Sequence, residues 1–175
     1  MTYKVFVDGQ EGTTGLQIHE RLAKRNDIEI LVIDPEKRKE SSERAKLINA
    51  SDITFLCLPD VAAKESVSLC SNTSTKIIDA STAHRTNPEF AYGLPELSNV
   101  LREKLKTSTR IANPGCHATG FLLGVSPLRQ VGILPSSSRL ACYSITGYSG
   151  GGKKLIAEYE AEGAQVSTPG ASLSL

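Results

Sequence analysis

Short runs rich in Val and Ile alternate along this chain with longer polar stretches of helical period, and that alternation is the pattern of a parallel sheet built from βαβ units. Strands are expected near Lys4–Asp8, Glu29–Ile33, Ile53–Leu58, Lys76–Asp79, Arg110–Ala112 and Leu140–Ile145. Helices are expected near Gly12–Arg25, Glu36–Ala50, Val61–Ser71, Leu97–Lys106 and His117–Val131. In the first helix Gly15, Ile18 and Leu22 share one face by three- and four-residue spacing, while Glu20, Arg21, Lys24 and Arg25 point outward. That apolar face should cover the sheet. Pro135-Ser136-Ser137-Ser138 interrupts the pattern, so residues 1–131 read as one domain and 132–175 as the beginning of a second, incomplete one with a further helix near Lys153–Glu162.

Twenty Lys plus Arg against nineteen Asp plus Glu leave a formal charge of +1, so no long-range field marks a nucleic-acid or membrane binder. A small-molecule partner fits better. The apolar fraction of 39% comes in runs far shorter than the roughly 20 residues of a spanning helix. The amino-terminal residues enter a strand-like run at once and lack the features of a signal peptide, which points to the cytoplasm. Cys57, Cys70, Cys116 and Cys142 stand far apart with no Cys-x-x-Cys pair, so free thiols are expected, with neither a disulfide framework nor a metal site. Cys57 and Cys142 lie in strand-like apolar runs, and Cys70 suits the buried side of a helix.

Val5 to Gly15 reads as a strand leading through Gly9, Gly12 and Gly15 into a helix, with Thr13 and Thr14 at the helix start. Such a turn lets the backbone approach a pyrophosphate, whose charge sits among free N–H groups. The spacing Gly-x-x-Gly-x-x-Gly is one residue longer in its first half than the usual dinucleotide fingerprint, and a tight turn without a ligand would also account for it. The second strand ends in Asp34, where an acid can bind a ribose diol; Lys37, Arg38 and Lys39 follow at once and can hold a 2′-phosphate. The two signals conflict, and the basic triplet also suits a solvated first turn of a helix. Strand, glycine turn, helix and acidic strand end together define a Rossmann-like doubly wound parallel sheet.

The strongest local signal is Arg110-Ile111-Ala112-Asn113-Pro114-Gly115-Cys116-His117-Ala118-Thr119-Gly120. A strand ends, Pro and Gly turn the chain sharply, and Cys116 falls where a helix starts. Helix dipole and free N–H groups there favour a thiolate, the nucleophilic form. A lone cysteine is ordinarily a small buried hydrophobe, but this one stands at the C-terminal end of a strand, where open α/β sheets keep their ligands.

Asn113-Pro114-Gly115-Cys116 resembles the catalytic-cysteine motif of N-acetyl-gamma-glutamyl-phosphate reductases. Tyr92-Gly93-Leu94-Pro95-Glu96, Asp79-Ala80-Ser81-Thr82-Ala83-His84-Arg85 and Gly147-Tyr148-Ser149-Gly150-Gly151-Gly152-Lys153-Lys154 resemble three further motifs of that family, in the same order. Details of the last two are similar to the shorter-chain branch. The resemblance implies NADP-dependent reduction of N-acetyl-gamma-glutamyl phosphate to the semialdehyde in arginine biosynthesis. It also implies that Cys116 is the nucleophile, that Ser81, Arg85, Asn113 and Ser149 contact substrate, and that the full-length protein is a homo-oligomer. An acyl phosphate has a good leaving group, so a thiolate can displace phosphate and leave a thioester that accepts hydride readily. For Arg85 a surface ion pair is the plain alternative, and for Asn113 the shaping of the turn before Pro114.

In the family a histidine downstream of the Ser-Gly-rich turn serves as acid and base, whereas this chain has no histidine after His117. His117 is a poor substitute, since adjacent residues of a helix point about 100° apart. Two other readings are weaker. Gly147 to Lys153 fits Gly-x-x-x-x-Gly-Lys, but Lys154 stands where a phosphate-binding loop needs Ser or Thr. Another phosphorylating aldehyde dehydrogenase would share the cysteine chemistry but not the Asn-Pro-Gly-Cys and Tyr-Gly-Leu-Pro-Glu pair. An inactive nucleotide-binding fragment is the non-enzymatic alternative.

Overall fold

A computed structural model describes residues 2–9, 13–147, 150, 156–158 and 160–161, with the side chains of 13 and 16 excepted. The chain divides after Ala141 into two units. The first holds six strands, β1 (Tyr3–Asp8), β2 (Ile28–Leu31), β3 (Ile53–Leu56), β4 (Lys76–Asp79), β5 (Ala91–Tyr92) and β6 (Arg110–Ala112). Its helices are α1 (Thr13–Leu22), α2 (Ser41–Ala50), α3 (Asp60–Leu69), α4 (Asn99–Thr107) and α5 (Cys116–Gln130), with a single 3₁₀ turn at Pro95–Leu97.

All strand pairs are parallel, in the spatial order β2-β1-β3-β4-β6-β5. Strand β1 lies between β2 and β3, and Val5, Phe6 and Val7 are buried in succession, so both faces of the sheet are covered there. On one face Phe6 packs with Ile33 and Ile48, and Leu56 packs with Ala63 and Ile77, under α2 and α3. Because the chain leaves β1 for β2 and then returns past it to β3, right-handed crossovers put α1 on the opposite face. In α1, Gly15 is buried and Ile18 and Leu22 are half-buried, while Glu20, Arg21, Lys24 and Arg25 are exposed, the division that the spacing predicts. The reversal of direction opens a crevice between the C-terminal ends of β1 and β3, the place where open α/β sheets bind ligands.

Four expectations need correction. Leu140–Ile145 is not a strand: it pairs with no strand among the described residues, and Tyr143 and Ile145 are 92% and 82% exposed. A strand-like apolar run becomes a strand only against a partner. Cys142 is accordingly exposed rather than buried. Residues 35–39 form turns and α2 begins only at Ser41, because the Asp34 carboxylate accepts from the Glu36 N–H at 3.0 Å and the Asp34 carbonyl from the Lys37 N–H at 2.9 Å. Strand β5 was not anticipated, since two residues carry no period. Of the helix expected near Lys153–Glu162, the described residues 156–158 and 160 are helical, and its ends lie outside the described residues.

Candidate active site

The C-terminal edge of the sheet gathers the motifs that follow β1, β4, β5 and β6; most of the Gly147–Lys154 motif lies outside the described residues. Gly9 follows β1 with φ +89°, a conformation that L side chains rarely adopt, and a Cβ added to it would stand 2.3 Å from the Cys57 carbonyl oxygen at the end of β3. The two strand ends are further tied by the Cys57 N–H, which donates to the Asp8 carbonyl at 2.8 Å. The backbone therefore comes closer here to the neighbouring strand than any residue but glycine permits. Thr13 opens α1, Thr14 is exposed and Gly15 buried. Gly12 lies outside the described residues. Arg38 is exposed in the turn after β2, next to Asp34.

The cysteine turn is built by three strands. The Asn113 N–H continues the ladder to the Asp79 carbonyl at 2.7 Å, and the Gly93 N–H donates to the Ala112 carbonyl at 2.8 Å. Gly115 has the extended conformation of an N-cap, and Cys116 is the first residue of α5, exposed, with no acidic residue in that turn. The Thr119 N–H and hydroxyl both donate to the Gly115 carbonyl at 2.9 Å, closing the first turn. Such a helix end favours an anion.

Arg85 fastens this turn to the end of β4. Its Nε donates to the Asn113 carbonyl at 3.1 Å and its Nη2 to the Ala80 carbonyl at 3.2 Å, while Nη1 would lie only 2.9 Å from a Cβ on Gly115. The guanidinium thus lies against the residue before Cys116. Ser81 is buried, its hydroxyl donating to Asp79 Oδ2 at 2.8 Å and accepting from the Ala83 N–H at 3.1 Å, so the hydroxyl is engaged in its own turn. Asn113 is exposed, and its side-chain amide donates to the Pro114 carbonyl at 3.2 Å. Ser149 lies outside the described residues.

The remaining thiols differ from Cys116. Burial, with the Asp8 and Asp79 carboxylates adding to it, pushes the Cys57 thiol up to about 11. Cys70 is half-buried against both core clusters, its Sγ donating to the Asn72 carbonyl at 3.4 Å.

Sequence reasoning missed three polar clusters on this edge. Fully buried Asp79 accepts from the Ser81 N–H and hydroxyl and pairs with His84 Nδ1 at 2.6 Å, and the His84 ring stacks on Phe90 with centroids 4.3 Å apart. The Thr82 hydroxyl and N–H both donate to Asp60, and the hydroxyl holds that carboxyl below its usual range. Buried Arg44 of α2 pairs with buried Asp8 at 3.1 Å. The last was detectable: Arg44 and Ile48 stand four apart on one face of α2, so an arginine occupies the apolar stripe.

Comparison with known proteins accords with this geometry. Residues 4–108 match the family described as the semialdehyde dehydrogenase NAD-binding domain. The chain belongs to that family. The match to this NAD-binding family ends before β6, so it does not reach Cys116. An N-acetyl-gamma-glutamyl-phosphate reductase of Nostoc sp. is 52% identical over 90% of this chain and 49% of its own length. One of Chelativorans sp. is 49% identical over 93% of this chain and 53% of its own length. The chain thus spans about half the length of the curated relatives it matches. Among solved structures, aspartate semialdehyde dehydrogenase II of Vibrio cholerae shares the fold with TM-score 0.63 and 16% identity, covering 90% of this chain and 50% of the other. No helix among the described residues is long and apolar enough to cross a membrane.

Proposed function

We propose that this chain carries the nucleotide site and nucleophile of an N-acetyl-gamma-glutamyl-phosphate reductase, which converts that acyl phosphate to N-acetyl-L-glutamate 5-semialdehyde and phosphate in arginine biosynthesis. The observation that carries the reading is the position of Cys116. An exposed thiol at the first residue of a long helix shares one sheet edge with a glycine turn that only glycine can make, in a chain about half identical to reductases of that name.

The chemistry follows from the thiol. Cys116 Sγ attacks the acyl carbon; a C–S bond forms, the C–O bond to phosphorus breaks, and inorganic phosphate leaves with the electron pair. Arg85, beside Gly115 with its Nε and Nη2 already engaged by carbonyls, holds the turn and brings positive charge to the leaving phosphate. Asn113 and Ser149 are the remaining substrate contacts of this reading, with Ser81 supporting the Arg85 segment. Gly9, Gly12, Thr13, Thr14 and Gly15 would hold the pyrophosphate of NADPH and Arg38 its 2′-phosphate, and the bound cofactor would supply hydride for reduction of the Cys116 thioester to the aldehyde with return of the thiolate. We also assign the protein to the cytoplasm, where its four thiols stay reduced.

The acylation step of this reading is testable on this chain alone. Mixed with N-acetyl-gamma-glutamyl phosphate, the chain should release one phosphate per molecule and gain one acyl group on the peptide containing Cys116. Cys116→Ser should abolish both. An acyl group on another cysteine, or none, would overturn the reading.

A further inference from the structure

The reaction above leaves unused the one arginine of the buried core, Arg44. Its guanidinium is satisfied on all sides: Nε donates to Asp8 Oδ2 at 3.1 Å, Nη1 to Glu65 Oε2 at 3.2 Å, and Nη2 to the Ala62 carbonyl at 3.3 Å and to the Ser66 hydroxyl. Ser66 in turn donates to the same Asp8 oxygen at 2.7 Å. Asp8 is only 4% exposed, is the last residue of β1, and directly precedes Gly9.

A carboxylate so placed is a liability for a phosphate site. It ends β1 one residue before Gly9, held between Arg44 of α2 and Ser66 of α3 and out of reach of screening water, near where the nucleotide reading brings the two negative charges of a pyrophosphate. Its field does reach the neighbouring strand, since Asp8 contributes to the raised Cys57 thiol. Glu65, the other acid on Arg44, has its side chain 46% exposed and also accepts from the Ser41 hydroxyl, so water and Ser41 share its charge. Asp8 has Arg44 as its cationic partner at hydrogen-bond distance.

We propose that Arg44 is a positioning residue of the nucleotide site: by cancelling the charge of Asp8 next to Gly9, it makes the end of β1 able to accept a pyrophosphate. The inference rests on the nucleotide reading above. It differs from a purely structural role, in which Arg44 merely fastens α2 and α3 to the end of β1.

The two roles separate when each partner is neutralised in turn. Removing either member of a buried pair leaves the other uncompensated and lowers stability. Their effects on an anion are opposite. With the full chain and NADPH as the probe, followed by fluorescence titration, Arg44→Met should weaken binding about tenfold. Asp8→Asn should leave binding unchanged or tighten it, although both variants melt at lower temperature. The pair Asp8→Asn with Arg44→Met should bind within about threefold of wild type. If Arg44→Met fails to fold, the other two variants carry the test. Loss of NADPH affinity in Asp8→Asn, in step with its lower melting temperature, would overturn the proposal, as would a double variant that binds tenfold more weakly than wild type. Failure of the wild-type chain to bind NADPH would overturn the nucleotide reading and this inference with it, a result visible before any variant is made.

Discussion

At the scale of single residues, the four thiols stand in four environments, and their reactivity should follow. Cys116 is exposed at a helix start, whereas Cys57 is half-buried with its thiol pushed up to about 11. Limiting iodoacetamide near neutral pH, followed by peptide mapping, should label Cys116 and spare Cys57. Preferential labelling of Cys57 would count against both assignments. Cys57 also predicts a pH dependence. Its folded value lies above its ordinary 9.0, so the folded chain holds this proton more tightly. That stabilisation is complete below about pH 9 and is lost as pH rises toward 11. Denaturant titrations across this window should show a fall in stability that Cys57→Ala reduces. The Asp34–Arg38 conflict belongs to the same scale. The Asp34 carboxylate accepts the Glu36 N–H through Oδ1, and the NADP reading makes Arg38 the contact to the 2′-phosphate. Arg38→Ala should weaken NADP binding about tenfold, equivalent to about 1.4 kcal/mol, and leave NAD binding nearly unchanged. Equal losses for both cofactors would remove Arg38 from that role.

At the scale of elements, strands with several apolar residues in a row were legible, because β1, β3 and β4 carry Val, Ile and Phe flanked by turn residues. What failed was local pattern without knowledge of a partner: Leu140–Ile145 is a strand-like apolar run that forms no strand, while β5 is too short to show any period. The site divides in the same way. Gly9 and Cys116 announce themselves by their place between a strand and a helix. His84 and Arg44 act through residues five and thirty-six positions away, a relation that no spacing rule encodes. Helix starts are a further local device. Ser98 caps α4, its hydroxyl accepting from the Leu101 N–H at 3.1 Å. Ser98→Ala should cost about 1 kcal/mol in urea denaturation, and Ser98→Asp should recover most of it. No change on truncation would mean that packing against the 3₁₀ turn alone holds the start of α4.

At the scale of the whole molecule, the reading of function extends beyond this chain, which spans about half the length of its relatives. No histidine follows His117, and His84 is buried on Asp79. An acid or base positioned at the reacting oxygen is typically worth about 10²–10⁴-fold. The chain should therefore acylate on Cys116 yet turn over NADPH at a small fraction of the rate of a full-length homologue, as an absorbance assay with the acyl phosphate would record. Comparable rates would mean that a residue described here supplies the proton. The strand order has a separate consequence, for biosynthesis. Strand β6 is inserted between β4 and β5, so β5 has no neighbour until residues 110–112 exist. During translation the first four strands can pair as they emerge, but the edge that bears the nucleophile waits for β6. A ribosome-bound chain halted before Arg110 should protect the β1–β4 amides from exchange and leave Ala91 and Tyr92 open. The nucleotide crevice would then be assembled in the nascent polypeptide before the thiol has a place to stand.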